Sequence, residues 1–169
     1  MREGAASVAA VELGAGDVML SDYHEALALI ERLHRLLLDV IKDEFERIGR
    51  FEVNAVQALL LFNIGSKVMT AGELKSRGHY QGSNVSYNLK KLVEGGFIDH
   101  QRCSTDRRAV IVRLTPKGLA VHRIVEELFR RHAADLGRAD IQHYGGFTEL
   151  NQSLRSIERY WGEEIRYIY

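Results

Sequence analysis

Apolar residues return every three or four positions from Tyr23 through Leu27, Ile30, Leu33, Leu37, Ile41 and Phe45 to Ile48, with charges between them. That period is helical and lasts about seven turns. Ala26, Leu29, Leu36 and Val40 widen the stripe beyond what one contact face needs, so the helix is expected to pack on two sides. The far end of the chain has a counterpart. Phe147, Leu150, Leu154, Ile157, Trp161, Ile165 and Ile168 alternate three- and four-residue steps, a seam that normally faces another helix. In a chain of 169 residues, two such helices leave room between them for one small domain.

The segment between them changes period several times. Gly49 ends the first helix, and Val53, Val56, Leu59 and Leu60 predict a shorter one over 53–64. Lys67-Val68-Met69 reads as a short edge strand, and Thr70 to Glu73 has the spacing of a capping box opening a helix around Leu74 that Gly78 stops. A turn through His79 and Tyr80 leads to a helix over 81–93. Its apolar positions, Val85, Leu89 and Leu92, form one narrow stripe, and Ser83, Asn84, Ser86, Tyr87, Asn88, Lys90 and Lys91 make the other face polar. Gly95-Gly96 supplies a C-cap. Two β-like runs, 97–103 and 109–114, flank Ser104-Thr-Asp-Arg-Arg108, a hairpin with a charged tip. Thr115-Pro116 then places an N-cap before a proline at the first helical position, and a helix continues to about Leu136. A linker containing Gly145-Gly146 precedes the last helix.

Charge divides the chain the same way. Residues 66–118 hold ten Lys or Arg against four acids, about +6, and the remainder is about −6, so a formally neutral protein is strongly polarised. A local basic surface is what a line of phosphates requires, and an acidic remainder does not prevent binding. The helix–turn–helix–hairpin order places the polar face of the 81–93 helix where it can enter a major groove. Asn pairs bidentately with adenine, Lys with guanine, and small hydroxyls reach bases or phosphates. The plain alternative is an amphipathic helix with a solvated face. The hairpin tip tips the balance, because Arg107 and Arg108 have no structural need to be there and an extended Arg suits a narrow, electronegative minor groove. Asp106 reads either as a turn former or as the anion that orients a neighbouring guanidinium.

Ser104-Thr-Asp-Arg-Arg-Ala-Val-Ile-Val-Arg-Leu-Thr-Pro-Lys-Gly118 resembles the wing signature of MarR-type regulators, an Asp-x-Arg tip followed by a strand and Leu-Thr-x-x-Gly. Element order resembles that family over residues 22–161. The resemblance implies a mainly α, dimeric winged helix-turn-helix repressor or activator, with Asp106 and Arg108 as the wing pair, Arg108 in the minor groove and Arg107 on a phosphate. It also implies that 81–91 is the recognition helix, and that the first and last two helices form the dimer. The aromatic tail to Tyr169 and Tyr80-Gln-Gly-Ser-Asn84 resemble an alphaproteobacterial branch that includes the LdtR-type regulators. Relatives bind small effectors in a cleft between the dimer helices and the winged domain. Leu37, Leu59 and Phe62 are candidates to line one here, with a place in the ordinary core as the alternative.

The resulting division is 1–21 as a disordered arm, 22–52 as an N-terminal dimerisation helix, 53–115 as the DNA-binding domain and 116–169 as C-terminal dimerisation helices. The expected partners are double-stranded DNA, a second copy of the chain and a small effector. Rival chemistry fares less well. Cys103, the single cysteine, excludes an internal disulfide and favours a reducing cytosol; a redox role needs a lowered thiol pKa that spacing cannot show. Seven scattered His include no i, i+4 pair, so no metal site or cofactor is expected. Nucleophile-elbow, Walker and dinucleotide motifs are missing, and His100 and Cys103 on one strand point to opposite faces, so no catalytic residue is assigned. No apolar run approaches the roughly 18 residues of a membrane span. A helical scaffolding protein explains the long helices and leaves the hairpin unexplained.

Overall fold

The first helix, α1, runs from Ala15 to Arg47 in the computed structural model, which describes residues 14–66, 69–70, 83–102, 110–138 and 145–168. It starts about two turns before the expected boundary at Asp22. Gly14, in an extended conformation, precedes it, and Asp17 sits in its first turn, where a carboxylate favours the helix dipole. The Ala- and Gly-rich texture hides this start, because only the charges beyond Asp22 make the period visible. At the other end Gly49 takes φ +69°, and Arg50 N–H donates to Phe45 O at 2.9 Å while Gly49 N–H donates to Glu46 O at 3.1 Å. This is the Schellman closure that glycine makes possible.

Next comes α2, Ala55–Ile64, opened by a capping box: Gln57 N–H donates to Asn54 Oδ1 at 2.9 Å, and Asn54 N–H donates to Gln57 Oε1 at 3.1 Å. The helix is apolar nearly all round, and such a helix belongs at the centre. Ala58, Leu60, Leu61 and Ile64 are buried among Ile41 and Phe45 of α1 and the elements that follow. Those are β1 (Met69–Thr70), α3 (Ser83–Glu94), β2 (Ile98–Arg102), β3 (Val110–Leu114), α4 (Pro116–Arg138) and α5 (Gly146–Ile168). Leu92 from α3, Phe97, Ile98 and Val112 from the hairpin, and Val121, Val125 and Leu128 from α4 complete the core. Removing one such side chain from water contributes roughly 1.5–3 kcal/mol.

The sheet is antiparallel in the order β1-β3-β2, with Met69 opposite Val112 and Ile98 opposite Leu114. Alternation buries Ile98 and Val112 and leaves Arg113 exposed beside the half-buried Asp99, whose Oδ2 it meets at 2.6 Å. The helix expected around Leu74, the turn at His79 and Tyr80, and the hairpin tip with Cys103, Asp106, Arg107 and Arg108 lie outside the described residues.

The terminal helices meet where Trp161 Nε1 donates to Tyr23 Oη at 3.2 Å. Much of their apolar surface stays in water. Met19, Leu29, Leu33 and Leu36 on α1, and Phe147, Leu150, Leu154 and Ile165 on α5, are exposed. No helix among the described residues is long and apolar enough to cross a membrane.

Candidate nucleic-acid interface

One face of α3 is fixed to the core by Leu92, fully buried, and by Leu89 and Val93, half-buried against it. The opposite face carries Ser86, Tyr87, Lys90 and Lys91, all exposed. Ser83 and Asn84 form the first turn of the same helix. Asn88 departs from the expected polar face, since it is only 6% exposed. It stands one residue before Leu89 and four before Leu92, inside the angular width of the stripe, so the helix that was to present it to DNA turns it toward its own domain.

The outer cations are partnered within the protein. Lys91 Nζ lies 3.0 Å from Glu94 Oε2 and 5.8 Å from the centre of the Tyr87 ring, and Lys90 Nζ lies 3.8 Å from Glu94 Oε1. The Lys91 hydrogen bond lowers the Glu94 pKa and raises that of Lys91. These contacts are solvent-exposed and exchangeable, so phosphate oxygens can take the place of the Glu94 carboxylate.

The end of α3 is more tightly held than its outer face. Gly95 N–H donates to Lys91 O at 2.9 Å, Gly96 N–H to Val93 O at 3.0 Å and Phe97 N–H to Leu92 O at 2.9 Å, with Gly96 at φ +73°. The first turn of α4 is built onto this closure. Thr115 Oγ1 donates to Gly96 O at 2.7 Å and accepts from Gly118 N–H at 3.2 Å, and Thr115 N–H donates to Phe97 O at 3.1 Å. Lys117 Nζ donates to Gly95 O at 2.8 Å and stands 4.1 Å above the Phe97 ring. At Gly118 a Cβ would fall 2.2 Å from Phe97 O, so only glycine fits. The Leu-Thr-x-x-Gly spacing is therefore a mechanical joint between α3 and α4. Sequence reading sees its Thr as an N-cap and misses the joint, because partners some twenty residues away leave no local signal.

Of the candidate effector residues, Leu37, Leu59 and Phe62 are half-buried and packed on the core. Phe62 is engaged in a stack, 5.3 Å from the His122 ring and 4.9 Å edge-on from Phe129. None of the three lines the cavity of about 410 Å³ between the C-terminal half of α1 and the start of α2, whose walls include Leu38, Lys42, Phe45, Phe51, Val53 and Val56.

A family model described as a winged helix DNA-binding domain matches residues 53–118. The exopolysaccharide II synthesis transcriptional activator ExpG of Rhizobium meliloti (strain 1021) is 32% identical over 152 residues, which cover 90% of this chain and 78% of that protein. AbsC, a MarR family transcriptional regulator from Streptomyces coelicolor, shares the fold at TM-score 0.61 and 21% identity, over 88% of this chain and 95% of its own. FabT of Streptococcus pneumoniae, in complex with DNA, does so at TM-score 0.63 and 21% identity, over 80% and 99%. Core helix, cationic helix face and hairpin define a winged-helix DNA-binding protein that regulates transcription. The chain belongs to the family of winged-helix transcriptional regulators that includes ExpG, and its fold is that of the MarR-family regulators. These relatives do not distinguish the LdtR-type branch.

Proposed function

We propose that the protein acts as a homodimer on a pseudo-palindromic operator, reading each half-site with α3. The observation that carries this reading is the exposed Ser86–Tyr87–Lys90–Lys91 face of α3, held against the core and flanked by the hairpin within the basic half of the chain. Ser83, Asn84, Ser86 and Tyr87 face base edges, and Lys90 and Lys91 contact phosphates. At the wing, Arg108 enters the minor groove, Arg107 contacts a phosphate and Asp106 orients Arg108. The exposed apolar residues of α1 and α5 supply the surface for a second copy, and half-sites lie about one helical turn apart. A small effector modulates binding, and the 410 Å³ cavity beside α2 has the size of a small-ligand pocket.

Selection of duplexes from a random-sequence pool by the full chain, followed by affinity measurements across a salt series, tests the reading. It predicts an enriched inverted repeat and an affinity that falls steeply with salt. Recovery of no preferred sequence would sink it.

A further inference from the structure

The closure of α3 leaves little slack. The carbonyls of Lys91, Leu92 and Val93 accept from the glycine turn, Gly96 O and Phe97 O accept from Thr115, and Gly95 O accepts from Lys117. The bonds that tie this turn to the next element come from Thr115, the residue before α4, and from Lys117 in its first turn. Lys117 is the only one of these donors that acts through a long side chain, and its ammonium is committed twice, to Gly95 O and to the face of Phe97. A cation there also opposes the negative end of the α3 dipole. Lys117 is exposed, as Lys90 is, but Lys90, with a side chain 75% exposed, makes a looser contact, 3.8 Å from Glu94 Oε1 on its own helix.

We propose that Lys117 is a positioning residue for sequence discrimination, fixing the C-terminal end of α3 against α4 so that the exposed face of α3 is aimed at base edges. The proposal rests on the reading of α3 given above and adds a residue outside the DNA-contacting set. Direct readout by bidentate pairs demands a defined donor and acceptor geometry, whereas a phosphate accepts a cation from many directions. Freeing one end of the reading helix therefore degrades discrimination more than it degrades general attraction to DNA.

The test uses the full-length protein, a duplex selected from a random pool by the wild type, and a scrambled duplex of the same composition, each titrated over a salt series. Lys117→Met keeps the methylene stem on Phe97 and removes the donors; Lys117→Arg restores cation and donor. Lys117→Met is expected to lower the selected-to-scrambled affinity ratio about tenfold, in the range of one degraded bidentate contact, with scrambled affinity and salt slope unchanged. Lys117→Arg should return the ratio to near the wild-type value, and Lys117→Gln, with a weaker donor, should fall between. All variants are measured well below their own melting temperatures, so a loss of stability does not pass for a loss of discrimination. Equal weakening on both duplexes with a slope reduced by about 0.9 makes Lys117 a phosphate contact and overturns the proposal. An unchanged ratio in Lys117→Met and Lys117→Gln overturns it too, as a structural role alone. Those two results leave the reading of α3 standing, since the wild type still discriminates; a wild type without preference removes that reading and the proposal together.

Discussion

Arg131 of α4 reaches across to α1 and places Nη2 2.7 Å from Oε1 of Glu44, whose other oxygen accepts from Arg47 Nε at 2.8 Å. Glu44 is 8% exposed, yet its pKa falls to about 2, because the hydrogen bond from Arg47 and the bond and charge of Arg131 outweigh the burial that opposes them. Both guanidiniums stay charged at all working pH values. The folded-state pKa lies below the unfolded value, so the carboxylate stabilises the fold above pH 4.5, and that contribution is lost as pH falls from 4.5 toward 2. Glu44→Gln should remove stability of the order of 2 kcal/mol at neutral pH and flatten the acid limb. Denaturation midpoints of both proteins between pH 2 and 7 check this; parallel acid limbs would contradict it.

Gly118→Ala places a methyl carbon against a backbone carbonyl that cannot swing away. Relief requires α4 to move off the Phe97 turn, at a cost of about 2 kcal/mol. For a chain of this length the melting temperature should drop by roughly 4–8 °C. A melting curve superimposable on the wild type would show that the joint is looser than its geometry.

The two asparagines of α3 should behave oppositely. Asn84→Ala should weaken binding to a selected duplex by roughly 1–3 kcal/mol and relax preference at one base pair. Asn88→Ala acts on a buried amide and should lower folding stability by about 1 kcal/mol, with base preference intact. Operator profiles and melts of both variants separate the roles.

The wing pair makes a second contrast. Arg108→Ala should lower operator affinity with stability changed by less than about 0.5 kcal/mol. Asp106→Ala should do part of the same damage, and less of it once Arg108 is gone. Additive losses that track lowered stability would leave Asp106 as a turn former.

Leu154→Glu puts a charge in the middle of the exposed α5 seam. If that seam pairs two copies, sedimentation at low micromolar concentration should shift from dimer to monomer, and the circular dichroism spectrum should keep its helical form. An unshifted dimer places the interface elsewhere.

Periodicity made the helices and the hairpin legible to within a residue or two over α2, α3, β2, β3 and the start of α4, because one face of each is buried and the pattern records it. It misled at two places where spacing is ambiguous. Asn88 sits on the edge of a stripe whose width depends on how deeply Leu92 sinks, and at the start of α1 Val18, Met19 and Leu20 are consecutive and follow an Ala- and Gly-rich stretch, so they set no period. Phe62 stood between a cleft and the core in the sequence because its partners, His122 and Phe129, lie some sixty residues away on another helix. The clasp on Gly95–Phe97 was invisible for the same reason. Basic patterning found the outer face of α3 without help from packing, since exposed charge needs no partner to be recognised.

Arg131 follows Lys117 by fourteen steps of uninterrupted helix, about 21 Å at 1.5 Å per residue. One end grips the turn that closes α3, the other the carboxylate of α1, so α4 is a strut between the reading helix and the long-helix region. By that geometry a tilt of about 5° at the Arg131 end carries Lys117 through roughly 2 Å, more than a directional hydrogen bond tolerates. Val121, Val125 and Leu128 lie buried along that span, so such a tilt would have to repack the core, and the packing holds the reading helix and the long-helix region in one fixed relation.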